Sequence, residues 1–183
     1  MTGVNLVDCS EKGCYVEGAM LTDVTVDGLL VEEAMPLKLA GCVFHRVTLR
    51  GELGQIMIRP KLHMAYRQSQ PSYDAANSAA YAEIDWALDI SGARGCAVDV
   101  QGIPSRLIRR DPETQAVMTF EQALGGAWRE VDLAGTPFGV HAKIILETGA
   151  EDMVLAADHS SANFAHQVAK LAELRKLGCV LPD

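Results

Sequence analysis

Leu21-Thr22-Asp23-Val24-Thr25-Val26-Asp27-Gly28 alternates apolar with polar residues and ends on glycine. The pattern returns 23 positions later as Phe44-His45-Arg46-Val47-Thr48-Leu49-Arg50-Gly51, and a shorter echo follows at Val98-Asp99-Val100-Gln101-Gly102. All three contain Val-x-(Val/Leu)-x-Gly. Period-two alternation puts the apolar side chains on one face of an extended strand, and glycine lets the backbone turn with φ > 0. The segment reads as a strand followed by a corner, repeated.

The flanking sequence has the same style. Residues 4–31 set short apolar runs between Gly13, Gly18 and Gly28, with Val4, Leu6, Cys14, Val16, Leu21, Val24 and Val26 as inward positions. Residues 37–58 continue through Leu37-Lys38-Leu39, Gly41, Gly51, Gly54 and Ile56-Met57-Ile58. Short strands with glycine corners at a period near 23 predict either a coiled strand stack or a compact β-sandwich. Two five-residue units, Ala19-Met20-Leu21-Thr22-Asp23 and Cys42-Val43-Phe44-His45-Arg46, resemble pentapeptide-repeat units, with a small residue first and Leu or Phe at the centre. The resemblance spans about residues 4–58. It implies a right-handed parallel β-helix over that stretch and carries no function with it.

Beyond this region the expectation is mainly β. Residues 66–82, rich in Ser, Gln, Asn, Ala and Tyr around Pro71, have the composition of a loop or linker. Ile84, Trp86, Leu88 and Ile90 alternate with Asp85, Ala87 and Asp89 and predict a strand. Residues 105–110 and 115–120 flank Asp111-Pro112 and read as a hairpin; residues 128–148 read as further strand. Met153–Ala157 is a short buried strand. Phe164, Val168, Leu171, Leu174 and Leu177 then recur at helical spacing, with Gly178 as the stop. The predicted organisation is a β-helix-like or sandwich stack over 1–65 and a loop over 66–82. A β-rich part over 83–183 follows, closed by one C-terminal helix at about 161–177. It allows a single compact domain.

The chain has 183 residues, 49% hydrophobic and 22% charged, which is enough for a sizeable core; with 5% aromatics that core must be aliphatic. The net charge of −8 argues against a nucleic-acid binder and favours a basic partner. Residues 1–33 carry seven acids and one lysine, whereas residues 34–67 carry six bases and one acid. If these are successive turns of one stack, they neutralise each other. The five cysteines, at 9, 14, 42, 96 and 179, match no metal or redox spacing. They read as free thiols in a reducing cytoplasm. No signal peptide or apolar span is evident, so no membrane association is expected.

Three groups of residues are candidates for chemistry. Glu83, Asp85 and Asp89 fall on one strand face, where residues two apart sit about 6–7 Å apart, and the row could suit acid/base work or a hard cation. Arg106, Arg109 and Arg110 suit carboxylate or phosphate recognition, or pairing with Asp85 and Asp89 across a sheet. Arg59, Lys61 and Arg67 with His63 and Tyr66 form a second basic cluster, read as a face turned towards the acidic first turn. His45, His63, His141, His159 and His166 lack helical metal-site spacing, and no nucleophile elbow, phosphate loop or dinucleotide fingerprint occurs. No metal or cofactor is expected. These features predict a non-catalytic protein-binding module of the inhibitor or immunity type. The alternatives are a carboxylate- or metal-dependent hydrolase using Glu83, Asp85 and Asp89, and a structural subunit of a homo-oligomer.

Overall fold

The chain begins with β1 (Thr2–Glu11), β2 (Tyr15–Glu17), β3 (Met20–Val31), β4 (Leu37–Ala40), β5 (Val43–Leu53) and β6 (Ile56–Arg59), alternating between two sheets as it goes. This computed structural model describes residues 1–31, 35–95 and 98–182; Cys96 and two of the N-terminal acids, Glu32 and Glu33, lie outside the described residues. After β6 come a 3₁₀ segment (Met64–Ser69), α1 (Gln70–Ala82), β7 (Leu88–Asp89), β8 (Ala93–Gly95), β9 (Val98–Val100) and β10 (Ile108–Arg109). One sheet runs β1-β3-β5-β7-β10, with β8 also on β5; the other runs β2-β4-β6-β9. All of these pairs are parallel among the described residues.

Register follows the repeat seen in the sequence. Val4 pairs with Val24 at a shift of 20 residues, and Val24 with Val47 at a shift of 23. The backbone is left-handed, with φ between 48° and 76°, at Gly3, Asp8, Gly13, Gly18, Asp23, Gly28, Gly41, Arg46 and Gly51. The first six of these positions fall every fifth residue. The pairing stacks them in columns: Gly3 beside Asp23 beside Arg46, and Gly18 beside Gly41. A left-handed conformation costs a non-glycine residue roughly 1–2 kcal/mol. Asp23 and Arg46 both adopt it, and their side chains join in a two-armed ion pair, Nε to Oδ1 at 2.6 Å and Nη2 to Oδ2 at 3.0 Å.

Between the bends, apolar residues stack in register. Val24, Val47, Leu88 and Ile108 form one buried column, Val26 and Leu49 a second, and Leu39, Ile58 and Val100 a third. Each fully buried Val, Leu or Ile contributes about 1.5–3 kcal/mol relative to exposure, so register is held by the whole ladder at once.

Residues 66–82 are helical rather than a loop. Pro71 sits in the first turn of α1, where its missing N–H costs nothing, and five alanines between 75 and 82 supply the highest helix propensity available. The Gln70 side chain ties the start of α1 to the end of β6: its oxygen accepts from Leu62 N–H at 2.8 Å and its amide donates to Pro60 O at 3.1 Å. The strand predicted over 84–90 shrinks to Leu88–Asp89. The carboxylates of Asp85 and Asp89 accept from the N–H groups of Trp86 and Ser91 just ahead of them, which diverts the backbone from a continuous ladder. The predicted hairpin over 105–120 does not form. Ser105–Leu107 is a 3₁₀ turn, β10 joins the parallel sheet, and the strand after the Asp111-Pro112 turn pairs elsewhere.

The chain divides into two compact units, Met1–Arg109 and Arg110–Asp183, so residues 66–82 lie inside the first unit. The second contains β11 (Gln115–Thr119), α2 (Phe120–Gly125), a 3₁₀ turn (Ala127–Glu130), α3 (Phe138–Thr148), β12 (Asp152–Ala156) and α4 (Phe164–Lys176). β11 and β12 are antiparallel, and Met118, Met153 and Leu155 from them pack with Phe138, Ala142, Ile145, Leu171 and Leu174. The strand material expected over 128–148 is therefore helical. Its β-branched residues hide a 4,3 spacing of Phe138, Ala142 and Ile145, all fully buried. Four α-helices appear among the described residues where one was expected. The C-terminal one agrees with its period. It ends as foreseen on Gly178, with Gly178 N–H bonded to Arg175 O and Cys179 N–H to Leu174 O, the two bonds of a Schellman stop. No helix among the described residues is long and apolar enough to cross a membrane.

At Gly51 (φ 74°) an added Cβ would stand 2.8 Å from Asp27 Oδ1 and 3.0 Å from Gly28 N, so both backbone strain and contact oppose it. Gly51→Ala is expected to lose about 2 kcal/mol in urea unfolding. Gly125→Ala, in α2 with open space around it, should change stability by less than about 1 kcal/mol. Equal effects at the two positions would contradict the corner role of Gly51.

Candidate functional site

The parallel stack brings charges together across turns. Arg46 holds Asp23, Arg50 Nε lies 2.9 Å from Asp27 Oδ2, and Arg59 Nη2 lies 2.5 Å from Asp99 Oδ2. The acidic β3 and the basic β5 do neutralise each other, as the charge distribution of the sequence suggested. The particular pairs were legible there too: Asp23 and Arg46, and Asp27 and Arg50, occupy equivalent places in the two echoes, 23 residues apart. The hydrogen bonds from Arg46 hold the Asp23 carboxyl below the usual carboxylate range.

The residues singled out from sequence separate. Glu83 ends α1, Asp85 is exposed in the turn after it, and Asp89 accepts from Ser91 Oγ at 2.7 Å; they do not share one strand face. Among the described residues no three of His, Cys, Asp and Glu are grouped to hold a metal ion. Arg109 is the register partner of Asp89, yet its guanidinium lies over the Trp86 ring, 4.1 Å from the centroid. That contact is a cation–π interaction, worth about 0.5–1 kcal/mol at an exposed site. Arg106 lies in the 3₁₀ turn before β10, and Arg110 begins the second unit. Of the second basic group, Arg59 is drawn to Asp99, and the His63 N–H donates to Glu17 in the first turn.

Two clefts flank α1. One, of about 330 Å³, is lined by Gly18, Met20, Val43, Tyr73, Ala76 and Ala80 and is largely apolar. The other, of about 370 Å³, has Asp74, Asn77 and Ser78 from α1 on one wall and Pro104 and Arg106 on the other, with Tyr81 among its lining residues. Tyr81 anchors the helix to the stack: its hydroxyl accepts from Phe44 N–H at 3.3 Å, and burial pushes its pKa up to about 12. Sequence reasoning named Arg106 but missed Asp74, Asn77 and Ser78, because it took their segment for a loop. Their i, i+3 and i+4 spacing places them together once the segment is a helix. Burial also raises the Cys42 thiol, whose sulfur lies 3.6 Å from Ala40 O and 3.7 Å from Val16 O.

A third feature is the edge of the stack. β1 bonds to β3 on one side and to no strand on the other among the described residues. Val7 (54% exposed), Met20 (58%) and Tyr15 (47%) stand near it, and Val4 and Leu6 are only half-buried. Asp8, Glu11 and Glu17 outnumber Lys12 in this first turn.

No family model matches the chain, and no curated protein or solved structure shows significant similarity to it.

Because the folded-state pKa of Asp23 lies below the unfolded one, the stability it contributes is present above the unfolded value and lost as pH falls through the folded one. Asn tolerates the left-handed backbone of this position as Asp does. Asp23→Asn should therefore lower the urea midpoint at pH 7 in low salt. The gap from the parent should close as pH drops below the ordinary value of 3.8, and narrow in 1 M salt because both partners are 43% exposed. A gap independent of pH would mean that the ion pair contributes nothing.

Proposed function

We propose that the protein is a non-catalytic protein-binding module that takes an extended, basic segment of another protein as an added strand on β1. The observation that carries this reading is the open edge: ten residues of extended backbone whose outer hydrogen-bonding groups meet no strand among the described residues. Strand addition draws affinity from main-chain bonds and specificity from alternate side chains. Here the added strand would cover Val7 and complete the burial of Val4 and Leu6. Charge selects the class of partner. Asp8, Glu11 and Glu17 border the edge, and the Oε1 atom of Glu11 is buried without a hydrogen-bond partner, which suits a Lys or Arg arriving with the strand.

The same reading extends to the fold. The first unit is a β-helix of the pentapeptide-repeat kind. It is supported by left-handed bends at every fifth residue from Gly3 to Gly28, by a strand shift of 20 residues that equals four such steps, and by chain order that alternates between two parallel sheets. Such a stack presents a rigid end with little conformational entropy to lose on binding.

Affinity capture from the protein's own cells, run side by side with the parent and Val7→Lys, tests the function. Val7 is exposed, so the variant should keep the parental melting temperature and lose a stoichiometric, basic partner. Retention of that partner by Val7→Lys, or recovery of no partner by the parent, would overturn the reading. Recovery of only the chain itself would replace it with a homo-oligomer stacked through β1.

A further inference from the structure

The cleft of about 370 Å³ beside α1 is a feature of the first unit separate from the β1 edge. It exists because α1 is inserted between turns of the stack and meets it through few residues: Tyr81 is the one buried side chain of the helix. The opposing wall comes from the segment that leads into β10, with Gly102 in a left-handed turn (φ 81°) followed by Pro104 and Arg106. Helix and segment are each fixed, α1 by Gln70 and Tyr81, and the 102–107 segment by the Leu107 O bond to Ala87 N at 2.9 Å.

The chemistry of the lining is specific. Arg106 is exposed and forms no ion pair among the described residues. Every other arginine that faces an acid across the stack is engaged at 2.5–2.9 Å. Asn77 and Ser78 add polar side chains without an intramolecular hydrogen bond among the described residues. Asp74 has one oxygen held by Gln70 Nε2 at 2.8 Å and a second oxygen to offer. A guanidinium binds a carboxylate in a fork, and a carboxylate such as Asp74 repels a dianion but welcomes an ammonium. Tyr81, Pro60, Ala82 and Pro104 give the rest of the lining an apolar character. The size is at the lower end of small-molecule sites.

We propose that this cleft binds a free α-amino acid or dipeptide with an apolar side chain. Its carboxylate sits on Arg106, its ammonium on Asp74 with Asn77 and Ser78 beside it, and its side chain against the proline and tyrosine rings. A bare anion such as phosphate would leave Asp74 opposed; a bare amine would leave Arg106 without a counter-charge. The zwitterion satisfies both.

Titration of the intact protein with L-phenylalanine, L-leucine and Leu-Leu, followed by calorimetry and by amide shifts of residues 74–82 and 102–106, tests the site. At least one of these probes should bind. For that probe, the N-acetyl and the amide derivatives should each bind at least ten-fold more weakly, since each removes one charge. Arg106→Gln, at an exposed position, should weaken the zwitterion by a similar factor with an unchanged melting temperature. Asp74→Asn should erase the discrimination against the N-acetyl form. Ser78→Trp, also exposed, should block the cleft sterically. The proposal fails if none of the three probes binds at 10 mM, if Arg106→Gln binds as the parent does, or if the N-acetyl derivative binds as well as the free amino acid. None of these results bears on capture of a partner by β1, so the two proposals stand or fall separately.

Discussion

The structure of the first unit depends on a backbone constraint: left-handed residues recur along β1, β3 and β5 and stack on one another, Gly3 beside Asp23 beside Arg46 and Gly18 beside Gly41. Where the corner is glycine the conformation is without steric cost. At Asp23 and Arg46 it is carried by side chains that bond to one another. That contact exists only when both of these left-handed positions are formed. The apolar column from Val24 to Ile108 follows in register.

That regularity also limits where chemistry can arise. Between β3 and β5, charges that face each other are 23 residues apart in sequence, and they neutralise: Asp23 with Arg46 and Asp27 with Arg50. Pairs of this kind on a solvated surface add little stability each. The regularity is broken at two interruptions. One is the β1 edge, where the repeat has no further turn on one side among the described residues. The other is the insertion of α1, which lengthens the shift between paired strands to 41 residues at Val47 and Leu88.

Legibility from sequence followed the same division. The strand-and-corner repeat, the period near 23 and the neutralisation of successive turns could be read from Leu21–Gly28 and its echo, because a stack repeats its pattern in the chain. Helix α4 was legible because its buried face recurs at helical spacing and Gly178 stops it. Helix α1 was not, since its contact with the stack is so slight that alanine and polar residues cover almost all of it, and no apolar stripe marks its period. Helix α3 was hidden differently: Val140, Ile144 and Ile145 favour strands intrinsically, and tertiary packing around Phe138 and Ala142 overrides that preference. The Asp85/Asp89 row failed because each carboxylate bonds its own backbone ahead, a local competition that alternation cannot show.

The miss at α1 matters most for the site. Arg106 was recognisable as a carboxylate anchor from its residue type alone, but an anchor becomes a site only when a second wall faces it. That wall is a helix face, and it appears when residues 74, 77 and 78 are wound at 3.6 per turn beside a stack that has no helical period of its own. Two elements with incommensurate surfaces cannot interdigitate along their whole length, so small residues and gaps are expected where they meet. The two clefts on either side of α1 are those gaps. The one that also gathers a free guanidinium and a half-used carboxylate is the place where imperfect packing turns into recognition.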